Sequence, residues 1–249
     1  MRDLPRADAL YRDSAAAKCP QGQLGYAMVL ARDTSDLAVR VELIGHLRDA
    51  ADKGLSSAQY MYGVALDRGA EGVVEPDRAA AAAMFRAAAE RNHRSAQARL
   101  GYALLNGVGV AANPTEGESW LRRAALAGDP ESAALVGELY AKGGPLPPNY
   151  AEAAMWFRRA VESGHKGSAR ALGMLYLTGA GVPRDQREAA NLFRIAAESG
   201  DAHSHADLGN LLLNGYGEEQ DSVRTREWFE QAAARRSSFS MPMPSARQT

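Results

Sequence analysis

Three short glycine runs are the first residues in this chain whose spacing could do chemistry: Gly107 to Gly109, Gly179 to Gly181 and Gly215 to Gly217. Closely spaced glycines let backbone N–H groups approach a phosphate. A phosphate loop, however, follows a strand and continues as G-x-G-x-x-G, or carries G-x-x-x-x-G-K-S/T. None of the three does, so they read as turns between helices, and no nucleotide or other cofactor is expected. His203 and His205 are two residues apart, which on a helix puts them on different faces. With no cysteine pair or H-E-x-x-H nearby, no metal site is expected. His46, His93 and His165 read as residues at or just beyond helix ends, capping or exposed. Cys19 is the single cysteine, without a disulfide partner or an activating base in its neighbourhood, and no G-x-S-x-G elbow occurs. No catalytic residue is assigned, and the protein is expected not to be an enzyme.

The side chains left over are suited to binding rather than reaction. They are Met61, Arg68, Arg99, Tyr102, Asn106, Glu138, Lys142, Met174, Asp207, Asn210 and Asn214. Tyrosine, arginine and methionine beside amide donors form a mixture that grips an extended peptide or a partner's helix. They can act together only if helices bring them to one face.

Those helices are written in a repeat. Gly25, Gly63, Gly101, Gly137, Gly173 and Gly209 are separated by steps of 38, 38, 36, 36 and 36 residues. At the same steps run His46, Met84, Trp120, Trp156, Leu192 and Trp228. An apolar residue stands just before each of the last five glycines (Tyr62, Leu100, Val136, Leu172, Leu208). Another stands three after (Leu66, Leu104, Tyr140, Tyr176, Leu212), so the two share a helical face. Offsets of −2, +1 and +5 from the glycine define a second face of that first helix, which carries the binding residues above. A glycine six positions on (Gly69, Gly107, Gly143, Gly179, Gly215) can take the left-handed conformation that ends a helix. Asp77, Asn113, Asn149, Asp185 and Asp221, with Asp36 in the weaker first unit, then stand where an N-cap opens the second helix.

A glycine in mid-helix costs roughly 1 kcal/mol relative to alanine, so six in phase forfeit about 6 kcal/mol. Only close helix approach offsets that. The small pairs on the second helix, such as Ala124-Ala125, are the expected counterpart surface, with the tryptophans at 120, 156 and 228 buried as packing.

The layout A-x-x-x-L-G-x-x-x-x-x-G-x-G-V, then Asp or Asn, then W-x-x-x-A-A-x-x-G resembles the Sel-one-like repeat (SLR) family, relatives of the tetratricopeptide (TPR) repeats. ARLGYALLNGVGV with WLRRAALAG, and RALGMLYLTGAGV with LFRIAAESG, carry the resemblance most clearly. It implies an all-α fold, a right-handed α-solenoid of about six antiparallel helix pairs. The expected organisation is an N-terminal capping helix over 1–18 and the repeats over 19–236. The units run 19–54, 55–92, 93–128, 129–164, 165–200 and 201–236, followed by a flexible tail over 237–249. First helices of such folds line the concave side, so the resemblance makes the binding residues a concave stripe. It implies a protein-interaction scaffold, adaptor or regulator. The runner-up is a carbohydrate- or peptidoglycan-binding envelope protein, an activity some members show.

Composition agrees with the first of these. Hydrophobic content of 46% and charged content of 24% are those of an ordinary water-soluble chain. A net charge of −1 lacks the basic surplus of a nucleic-acid binder. No run approaches 18 apolar residues, and the first residues hold acids and a proline where a signal peptide is apolar. A cytoplasmic protein is expected, with another protein or peptide as partner and no nucleic acid, membrane insertion or small-molecule ligand. Alanine-rich helices and arginine favoured over lysine suit a bacterial, GC-rich source.

Overall fold

The computed structural model describes residues 4–143, 146–215 and 230. Among them the secondary structure is helical, with an isolated β-bridge between Ala70 and Val74. The helices are α1 (Leu4–Ala16), α2 (Pro20–Leu30), α3 (Leu37–Asp52), α4 (Ser56–Arg68), α5 (Arg78–Glu90) and α6 (Arg94–Asn106). They continue as α7 (Pro114–Leu126), α8 (Pro130–Lys142), α9 (Tyr150–Glu162), α10 (Ser168–Thr178), α11 (Gln186–Glu198) and α12 (Ala202–Leu213). This is an all-α repeat fold of successive helix pairs, α2/α3 to α10/α11, with α12 opening the sixth. Asp221, Trp228, Ala232-Ala233 and the expected tail lie outside the described residues. No described helix is long and apolar enough to cross a membrane. The chain divides into two compact units, residues 1–132 and 133–249.

In the first unit the helix boundaries follow the capping chemistry. Asp36, Asp77 and Asn113 accept the N–H of Ala38, Ala80 and Glu116, opening α3, α5 and α7. Gly107 closes α6 in the left-handed conformation, and Asn92 takes the same positive φ after α5. His93 is the N-cap of α6, its Nδ1 accepting the N–H of Ala96. The expectation for His46 does not hold. It lies inside α3, edge-on to Tyr26, because that helix continues to Asp52.

The anchor glycines do not meet the small pairs, which corrects the expected packing. A Cβ added at Gly101 would stand 2.7 Å from Leu121 Cγ and 2.8 Å from the carbonyl oxygen of Gly117. At Gly63 the corresponding neighbour is the Phe85 ring. The glycine thus receives the residue after the bulky anchor, from the second helix of its own pair. The small pairs face the next pair instead. Ala50-Ala51 cluster with Ala58 of α4, and Ala88-Ala89 with Ala96 and Leu100 of α6. One repeat therefore uses two different close approaches, glycine within a pair and alanine between pairs.

The second unit repeats the scheme. Asn149 and Asp185 cap α9 and α11, and Gly179 ends α10 in the left-handed conformation. The rings of Phe157 and Phe193 fill the space at Gly137 and Gly173. Trp156 is buried and its Nε1 donates to Glu152 at 3.1 Å. His205 is buried with Nδ1 2.8 Å from the Asp201 carbonyl, whereas His203 is exposed, as their spacing required. Nδ1 of His165 is 2.8 Å from Ser168 Oγ at the start of α10.

Candidate functional site

The structure gathers part of the expected binding set around a recess in the first unit. Asp67 comes from the last turn of α4, and Arg78, Ala81, Ala82 and Phe85 from the start of α5. Arg99, Tyr102 and Ala103 come from the middle of α6, and Val108 from the turn after it. The cavity measures about 60 Å³ and is lined by three alanines, Phe85 and Val108 together with two arginines, one aspartate and Tyr102.

Each wall is held by local structure. Arg78 is the first residue of α5, fixed there by the Asp77 cap. The turn after α6 lies directly on that helix start, since a Cβ added at Gly109 would fall 2.1 Å from the Arg78 carbonyl oxygen. Gly109 also has φ +71°, so both sterics and backbone conformation call for glycine. In α6, Leu100, Gly101 and Ala103 are buried, which turns Tyr102 outward with 51% of its surface exposed. Arg99 reaches Asp67 at 3.9 Å, a long ion pair.

The other expected residues fall into four groups. Met61 is half-buried against the cluster of Ala27, Ile44 and Leu47, and so contributes to packing. Asn106 and Asn214 donate Nδ2 to the carbonyls of Tyr102 and Asn210 one turn back, at 2.9 and 2.7 Å, so each spends a donor on its own helix end. Glu138 pairs with Lys142 at 2.7 Å, and Asp207 accepts from Arg170 at 2.9 Å. Arg68, Met174 and Asn210 are exposed. Arg78, Phe85 and Val108 escaped the sequence reading because the pattern of a first helix says nothing of the second helix and turn that meet it, and Asp67 escaped because it lies four residues after Gly63, outside the offsets that define the stripe.

On α7, Trp120 donates Nε1 to Glu116 at 3.3 Å, and the Arg123 guanidinium lies over the ring at 4.6 Å. Arg86 of α5 bonds the same carboxylate at 2.6 Å, and this pairing holds Glu116 below the usual carboxylate range. Trp120 is thus a core residue with a satisfied N–H. Among the described residues no three His, Cys, Asp or Glu side chains converge as metal ligands.

No curated protein matches the chain. A protective antigen of uropathogenic Escherichia coli with an SLR fold is 29% identical, with a TM-score of 0.82 over 91% of this chain. This chain spans 48% of that antigen's length. A Sel1 repeat protein from Oxalobacter formigenes is 28% identical with a TM-score of 0.71, over 78% of this chain and 79% of its own. The Sel1 repeat family profile matches residues 56–93, 94–129, 130–165, 167–201 and 202–237, five consecutive copies covering most of the sequence. By these repeats, and by the helix pairs they form, the chain belongs to the Sel1 repeat family.

Proposed function

We propose that this protein is a non-catalytic scaffold that holds a segment of a partner protein on the exposed face of its first helices, centred on Arg99 and Tyr102 of α6. Sel1 repeats are commonly protein-interaction scaffolds, and the coarse part of this reading rests on that membership. The finer part is carried by one observation: Tyr102 is half-exposed beside a recess although its neighbours in α6 are buried. A large, stiff aromatic side chain standing free beside arginine is typical of an interface anchor rather than of a solvated face. Affinity would come from several modest contacts along successive first helices, with no reacting group.

Site-specific photo-crosslinking in the native host tests the reading. A photoreactive residue at Tyr102 or Met174 should capture a discrete partner, whereas one at the exposed Ala83 of α5 should not. Equal capture from all three positions, or from Ala83 alone, overturns the assignment of the face.

A further inference from the structure

Resting on that reading, we infer that the recess between α4, α5 and α6 takes the carboxylate of an internal glutamate or aspartate in the bound segment. Arg78 and Arg99 both line the recess and are opposed by one carboxylate there, Asp67. That opposition is loose. Arg99 stands 3.9 Å from Asp67, whereas the structural ion pairs Arg86–Glu116 and Arg170–Asp207 close to 2.6 and 2.9 Å. Arg78 makes no ion pair among the described residues. It also opens α5, whose N-terminal end adds to the attraction for an anion. Two arginines lining one small recess can offer guanidinium groups to a planar, two-oxygen acceptor.

Size and lining narrow the choice. A recess of about 60 Å³ suits a small polar group such as a carboxyl carried on its methylenes. Ala81, Ala82, Ala103 and the Phe85 ring would shelter the methylenes. Arg68 and Asn106, exposed at the ends of α4 and α6, are the next polar groups beyond Asp67 and Tyr102, and they can meet the backbone that flanks an internal acidic residue. A chain end would leave part of that surface unused.

The test is an NMR titration of the full ¹⁵N-labelled chain with three short peptides at millimolar concentration. They are acetylated and amidated AAEAA, its AAQAA counterpart, and acetyl-AAA with a free terminal carboxylate. The glutamate peptide should shift the Nε–Hε signals of Arg78 and Arg99 and the amides of Tyr102 and Ala103 saturably. The glutamine peptide should bind roughly three- to ten-fold more weakly, the loss of one charge-assisted contact. Arg78→Gln and Arg99→Gln should each remove the preference, and Arg48→Gln, at an exposed position of α3, should not. Equal binding of the glutamate and glutamine peptides at this site overturns the acidic preference and leaves the interaction face standing. Tighter binding of acetyl-AAA overturns the internal side chain in favour of a chain end. Shifts spread evenly over surface arginines, or none with any peptide, overturn both the pocket and the centre of the face proposed above.

Discussion

Gly101 and Gly109 lie eight residues apart, yet glycine serves a different purpose at each. At Gly101 the backbone is an ordinary helix and only space is short. An added methyl would press on Leu121 and on the Gly117 carbonyl, and backbone cannot turn aside. Gly101→Ala should therefore destabilise by about 1–3 kcal/mol, despite alanine's better helix propensity, with urea unfolding as the measure. At Gly109 an added methyl would meet the Arg78 carbonyl at 2.1 Å in a positive-φ backbone, so the turn itself must move. Gly109→Ala should lower stability by a similar amount or more and, unlike Gly101→Ala, shift the Arg78 signals in an NMR spectrum. The second glycine of this G-x-G is thus imposed by the repeat before it. Gly181, which meets Tyr150 and Ala151 of α9 in the same way, repeats the point in the second unit.

At the scale of elements, the side-chain caps of the first helices are of two kinds, carboxylate and imidazole. Asp129 and Asp201 accept the N–H of Ser132 and Ser204, whereas His93 does the same task for α6 through a neutral ring nitrogen. That ring stacks on Tyr60 with centroids 4.8 Å apart. Burial first, and the charge of Arg94 second, push its pKa below the ordinary histidine value. The sign follows: above about pH 6.5 the neutral ring caps α6 in full, and as pH falls the unfolded chain takes up the proton more readily. The cap's contribution, about 1 kcal/mol, should fade as pH falls from 7 toward 5. With the intrinsic slowing of exchange at lower pH divided out, the protection of Ala96 and Gln97 should decline over that range in the natural protein. In His93→Asp the decline should be absent, and the same decline in that variant would refute the account.

Across the whole chain, packing and the proposed recognition fall on different residues, so they should be separable by mutation. Tyr102→Ala and Arg99→Glu should weaken partner capture while leaving the thermal midpoint within a few degrees, because both side chains are substantially exposed. Phe193→Ala, at a fully buried ring filling the space at Gly173, should cost about 3–5 kcal/mol. In a repeat protein that loss is felt first by the elements in contact, here α10 to α12, as amide exchange would report. The periodic glycines, caps and tryptophans were legible in the sequence because each obeys a local rule of backbone conformation, capping or burial. Which surface receives Gly101 was not, since Leu121 and Ala124 are both compatible with the same spacing and only the helix crossing decides between them. The recess was legible by half. Arg99 and Tyr102 follow from the period of one helix, but Arg78 and Asp67 reach them only through tertiary contact.

The meeting of Gly101 with Gly117 bears on recognition as well as stability. Here α6 and α7 are seated backbone against backbone, which leaves α6 no slack at its middle. Helix ends open more readily than middles. Arg99 and Tyr102 stand two residues before and one after Gly101, in the closely seated part of α6, whereas Asn106 closes the helix. Under the proposed function, side chains mounted on the firmly seated stretch would be held ready before a partner arrives, which lowers the ordering entropy that binding must overcome.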